Sequence, residues 1–135
     1  MQMEHVPSVC CFCGCGCGLY FHVSQGRITG VSPSRNHPVS KGNLCVKGWH
    51  SYESVYSPKR LTHPLVRKNG RLVQASWDEA LSITVDAFKG VLSQHGGSAI
   101  GLLSSAKCTN EENYLLQKLA RAVLKTNNID HCARL

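Results

Sequence analysis

The sequence predicts an α+β to α/β chain, in which a small β-rich unit is followed by the start of an incomplete, doubly wound α/β domain. Three observations predict it. Five of the eight cysteines crowd into residues 10–17 between short strand-like segments. Two amphipathic helical stretches in the second half flank a short apolar run. That helix–strand–helix order opens an α/β layer, and few further strand starts remain to complete it. The expected division places a cluster-binding domain at 1–62 and the beginning of the α/β domain at 63–135.

In chain order, residues 1–9 are mixed and allow one strand. Leu19–Val23 and Arg27–Val31 read as two strands joined by Ser24-Gln25-Gly26, with Gly26 free to take a positive φ. Residues 32–44 hold Pro33 and Pro38 among polar residues and read as loop. Val46 to Val55 predicts a short helix carrying Trp49 and Tyr52, stopped by Pro58. Pro64–Lys68 and Arg71–Gln74 flank Asn69-Gly70, a two-residue hairpin signal.

Ser76-Trp77-Asp78-Glu79 is a capping box, and Trp77 is expected in the core. The helix behind it places Leu81, Val85, Phe88 and Leu92 on one face, and Gly96-Gly97 ends it. Ser98–Leu103 reads as a strand buried on both faces. Thr109-Asn110-Glu111-Glu112 is a second capping box, whose helix should turn Leu115, Leu119, Ala120 and Val123 inward. Asn127-Asn128 then turns the chain toward a last strand start at Ile129.

The chain has 135 residues, a formal charge of +7 and eight cysteines. The positive residues are scattered, without a basic tract or aromatic platform, so nucleic acid is not an expected partner. No apolar stretch reaches bilayer-spanning length and no signal-like start is present, which argues against membrane insertion and for a cytoplasmic setting. In that compartment thiols stay reduced, and clustered cysteines point to metal rather than disulfides.

Cys10, Cys13, Cys17 and Cys45 give C-x2-C-x3-C-x27-C. Three thiolates on one loop with a distant fourth is the general arrangement of a [4Fe-4S] site. Gly14, Gly16 and Gly18 let the loop wrap tightly. Cys11 and Cys15 lie in the same loop, so a slipped register stays open. A Cys3His zinc site from Cys10, Cys13, Cys45 and His50 is the competing reading; it leaves Cys17 without a role. Cys108 reads as a loop or core thiol. His5, His22, His37, His63 and His95 show no pairing in their spacing and read as surface or loop residues.

Cys10–Gly18, Lys41–Gly48, Arg60–Leu65 and Ser76–Ala80 resemble the N-terminal part of molybdopterin oxidoreductases. Cys108–Tyr114 and Thr126–Leu135 are similar to the catalytic α subunit of molybdenum- or tungsten-dependent formate dehydrogenases. The resemblance implies that Cys10, Cys13, Cys17 and Cys45 bind a [4Fe-4S] cluster. It implies that Lys47 stands between that cluster and a pterin of bis-molybdopterin guanine dinucleotide carrying Mo or W, aiding electron passage. It makes the chain a relay segment, catalytically incomplete by itself. Its partners would be the remainder of the catalytic subunit and iron–sulfur or flavin electron-transfer subunits. Cys132 is then a structural thiol near the metal site, bordered by His131 and Arg134. In formate dehydrogenases the segment like His131–Leu135 is followed by a metal-ligating selenocysteine or cysteine. A reading frame interrupted at a selenocysteine codon is therefore one expectation, beside a deliberate fragment or a split subunit. A free-standing iron–sulfur carrier or assembly partner is the alternative from another functional class.

Overall fold

The computed structural model describes residues 3–132. They form two compact units: residues 3–60 with 104–114 and 131–132, and residues 61–103 with 115–130. The second half of the chain therefore contributes segments to the first unit.

The first unit is built on an antiparallel sheet of order β1-β2-β3, with β1 (Glu4–Val9), β2 (Gly18–Ser24) and β3 (Arg27–Pro33). The β2–β3 hairpin closes through Gln25 and Gly26, at φ 49° and 72°. This is the doubly left-handed turn that matches strand twist. Val9 pairs with Gly18, so the cysteine segment 10–17 is the loop of the β1–β2 hairpin. His5 and His22 face each other in that ladder with ring centroids 4.6 Å apart. This corrects the reading of the histidines as unpaired: antiparallel register, not sequence spacing, brings them together. Cys10, Leu19 and Val31 form the buried core, with Phe12, Cys17, Phe21, Leu44 and Tyr52 packed around it.

Of the loop expected over 32–44, Ser32 and Pro33 belong to β3, paired with Tyr20 and Leu19, and residues 34–44 are loop stitched to β2. Gly18 accepts from the Ser34 N–H at 2.9 Å and donates to the buried Ser40 Oγ at 3.2 Å. The helix expected over 46–55 is broken into α1 (Val46–Trp49) and a 3-10 turn, Glu53–Val55. Gly48 sits inside it, and a segment this short cannot offset nucleation once a glycine raises the cost.

In the second unit β4 (Leu65–Lys68) and β5 (Arg71–Gln74) pair around Asn69 and Gly70, both at positive φ. Next comes α2 (Trp77–His95), with the Ser76 Oγ accepting from the Glu79 N–H at 3.1 Å. The Glu79 carboxylate pairs with Lys68 Nζ at 2.5 Å, where the capping box had it reaching back to Ser76. Gly96 ends α2 at φ 74°.

Trp77 is 66% exposed, so its expected core placement is not realised; of the helix stripe Leu81 and Val85 are exposed, while Phe88 and Leu92 are half-buried. A helix stripe is buried only where a second layer covers it, and the first half of this stripe stays exposed. The expected doubly buried strand is likewise corrected. Residues 97–99 form a 3-10 turn, β6 is Leu102–Ser104, and Leu103 is exposed. Only Ile100 of the run is buried. β6 pairs with β7 (Ile129–His131).

In α3 (Asn110–Lys118) the second capping box is complete. Thr109 Oγ1 accepts from the Glu112 N–H at 3.2 Å, and the Glu112 carboxylate accepts from the Thr109 N–H at 2.7 Å. A π-helical turn, Leu119–Val123, follows. The Leu124 N–H reaches the Leu119 carbonyl, five residues back, at 3.0 Å. That extra residue rotates the face: Ala120 and Leu124 are buried, while Val123, expected inward, is exposed. Leu115 is exposed as well, on the uncovered side. The strand start after Asn128 is β7; Arg134 lies outside the described residues.

Candidate metal centre

Three segments of the first unit converge on one small cavity. The hairpin loop supplies Cys10, Phe12, Cys13, Gly16 and Cys17; the segment into α1 supplies Leu44, Cys45 and Lys47; the turn before α3 supplies Ala106 and Lys107. All four cysteines singled out by spacing line it, with Lys47. Cys11 and Cys15 are exposed and do not.

The local geometry follows from the sequence. The Cys10 N–H donates to the Cys17 carbonyl at 2.8 Å, closing the loop at its neck. Gly16 turns the backbone at φ 55°, which a side chain would strain. Gly18 is needed for a different reason: a Cβ there would collide with the His37 ring. That close approach lets the 34–44 loop fold back on β2 and deliver Leu44 and Cys45 to the cavity. Cys45 is the residue preceding α1 and accepts from the Trp49 N–H at 3.1 Å.

The thiols feel one another. Burial pushes the Cys10 thiol pKa up, and the neighbouring Cys11, Cys13 and Cys45 add to the rise, partly offset by a backbone hydrogen bond at Phe12. Cys17 is raised by burial first, then by Cys15, Cys10, Cys13 and Cys45. Gathered thiolates repel, and a metal core relieves that by taking the thiols in deprotonated form.

The residues fit a cluster by the chemistry of the donor set. Four soft sulfur ligands surround one space, Phe12, Leu44 and Ala106 limit water, and Lys47 and Lys107 oppose the negative charge. Among the described residues, no group of three or more His, Cys, Asp or Glu side chains is placed to hold a single metal ion. A cubane asks for a different placement, each thiolate binding its own iron around a core. The cavity has a volume of about 20 Å³, so seating a four-iron core requires the thiol side chains to turn outward. Cys45 is exposed and Cys13 and Cys17 are half-buried, which leaves them room to do so. His50, the fourth ligand of the zinc reading, does not line the cavity; its Nδ1 lies 2.6 Å from the Glu53 carboxylate.

The first part of the chain, residues 3–57, matches the molybdopterin oxidoreductase Fe4S4 domain, and residues 60–135 match the molybdopterin oxidoreductase family model. The chain belongs to the molybdopterin oxidoreductase family. The cofactors of the full enzyme are accordingly a [4Fe-4S] cluster and molybdopterin. Over its whole length this molybdopterin oxidoreductase chain is 47% identical to the F420-dependent formate dehydrogenase 1 subunit alpha of Methanococcus maripaludis and 46% identical to the F420-dependent formate dehydrogenase subunit alpha of Methanocaldococcus jannaschii. It covers 19% of each. A putative formate dehydrogenase of Staphylococcus aureus (strain USA300) is 44% identical over 98% of the chain, which covers 14% of that protein. The chain thus spans about a fifth of the length of its methanogen relatives. Acetylene hydratase from Pelobacter acetylenicus shares the fold, with a TM-score of 0.75 at 24% identity over 95% of this chain and 18% of that one.

Sequence reasoning missed the third wall. Ala106 and Lys107 come from about ninety residues beyond the cysteine loop. The available signal was their place after the carboxyl end of β6 and before a helix start, where open α/β sheets put ligand-binding loops. Cys108, expected in a loop or core, lies in that turn half-buried, its N–H bonded to the Ser105 carbonyl at 3.1 Å. Cys132 is exposed, and its Sγ lies 3.3 Å from Ser105 Oγ. Among the described residues no helix is long and apolar enough to cross a membrane.

Proposed function

We propose that this chain is the electron-relay segment of a formate dehydrogenase catalytic subunit, with a [4Fe-4S] cluster held by Cys10, Cys13, Cys17 and Cys45. The observation that carries the reading is the arrival of these four thiols, and not Cys11 or Cys15, on one cavity. Formate as substrate rests on the names of the relatives. The cluster-binding domain would be residues 1–62, and residues 63–135 would begin the part that holds bis-molybdopterin guanine dinucleotide with Mo or W.

When bound, the cluster supplies one-electron transfer. The chain's own residues do the rest. The four thiolates would hold the irons, Phe12 and Leu44 would keep water from the sulfurs, and Lys47 would place positive charge beside the cluster. The remainder of the catalytic subunit would deliver electrons, and iron–sulfur or flavin subunits would receive them. The cytoplasm, where thiols stay reduced, suits this chemistry. Formate oxidation is proposed for the whole catalytic subunit, and this chain spans about a fifth of the length of such relatives.

The test is anaerobic purification with iron, sulfide and zinc analysis. About four irons and four sulfides per chain are expected. Serine at 10, 13, 17 or 45 should lower both, and Cys11→Ser and Cys15→Ser should leave them unchanged. One zinc per chain without sulfide would sink the proposal and restore the structural zinc module; the engagement of His50 with Glu53 counts against that module.

A further inference from the structure

We propose that Lys107 is a second cation of the cluster site and, with Lys47, sets the reduction potential of the cluster. This rests on the cluster reading above. Lys107 lines the same cavity as Cys10, Cys13, Cys17 and Cys45, and no aspartate or glutamate lines it.

The backbone that carries Lys107 is held on both sides. Its own N–H donates to Ser105 Oγ at 3.0 Å. Asn113 Nδ2 donates to the carbonyls of Thr109 at 3.0 Å and Ser105 at 3.4 Å. Asn110 Nδ2 donates to the Gly14 carbonyl at 3.0 Å, tying this turn to the cysteine loop itself. The lysine is therefore presented from a fastened turn rather than from a loose surface chain.

Four thiolates leave an iron–sulfur core with net negative charge, and each added electron deepens it. A cation on the wall favours the reduced form more than the oxidised one, so its removal lowers the potential. The cavity wall is partly open, which limits the effect by solvent screening.

The experiment is a redox titration of the anaerobically loaded 135-residue chain, followed by the electron-spin signal of the reduced cluster. Viologen dyes supply the single electron, each dye radical returning to its dication. Lys107→Gln is expected to reduce the equilibrium constant for reduction up to about tenfold, or about 59 mV for one electron. Lys107→Arg keeps the charge and should titrate near wild type, and high salt should narrow the gap between wild type and Lys107→Gln. A fully loaded Lys107→Gln that titrates like wild type overturns the role of Lys107 alone, as does a Lys107→Arg that shifts as far as Lys107→Gln. A wild-type chain that takes up no iron and sulfide overturns the cluster reading, and the role of Lys107 with it.

Discussion

The side-chain amide of Asn110 donates to the carbonyl of Gly14 at 3.0 Å across 96 residues of sequence. Asn110 opens α3, and Gly14 lies at the middle of the cysteine loop. The bond is exposed, so its loss should cost the fold only about 1 kcal/mol. Its larger effect should fall on the loop. Asn110→Ala is expected to release iron in air several-fold faster than wild type while the melting temperature changes little, read by loss of visible absorption. Equal release rates would show that the tie does not steady the loop.

Gly18 separates two roles that a glycine can play. Its backbone clips Ser34 and Ser40, and a Cβ would meet His37. Gly18→Ala should push the 34–44 loop away and move Cys45 from the cavity. Overpacking of this kind costs about 1–3 kcal/mol. Iron content should drop to the level of Cys45→Ser, and thermal melts of the cluster-free protein should show the loss of stability. Full iron content in Gly18→Ala would contradict this account of how the fourth sulfur is delivered.

The cluster-free chain should be sensitive to alkali. Burial, then neighbouring thiols, raise the Cys10 and Cys17 pKa values in the folded state. The unfolded chain ionises these thiols first, near the ordinary value of about 8.5. Their contribution to stability is present below that pH and is lost as pH rises through the folded values. Melting temperature should therefore fall from about pH 8.5 upward. Cys10→Ala with Cys17→Ala should flatten that part of the profile relative to its own neutral-pH value.

Cys132 has the opposite tendency. The Ser105 hydroxyl, a backbone hydrogen bond at Ala106 and the charge of Lys107 lower its thiol pKa. Its thiolate should persist to lower pH than that of an ordinary cysteine, and alkylation should follow. Ser105→Ala is expected to move the midpoint of the alkylation rate at Cys132 upward in pH, measured by peptide mass analysis. An unmoved midpoint would remove Ser105 as the cause.

The sequence alone determined the local chemistry. Turn signals at Gln25-Gly26 and Asn69-Gly70, caps at Ser76 and Thr109, and the spacing of Cys10, Cys13 and Cys17 depend on neighbours a few residues apart. Backbone sterics and short-range hydrogen bonds act at that range whatever the rest of the chain does. Tertiary structure decided the remainder. It set Cys11 and Cys15 outside the cavity and brought Lys107 into it. It left Trp77 and Leu103 exposed, and through a π turn it exchanged Val123 for Leu124 in the core. Each of these depends on which distant surface arrives, and periodicity marks an apolar face without saying what will cover it.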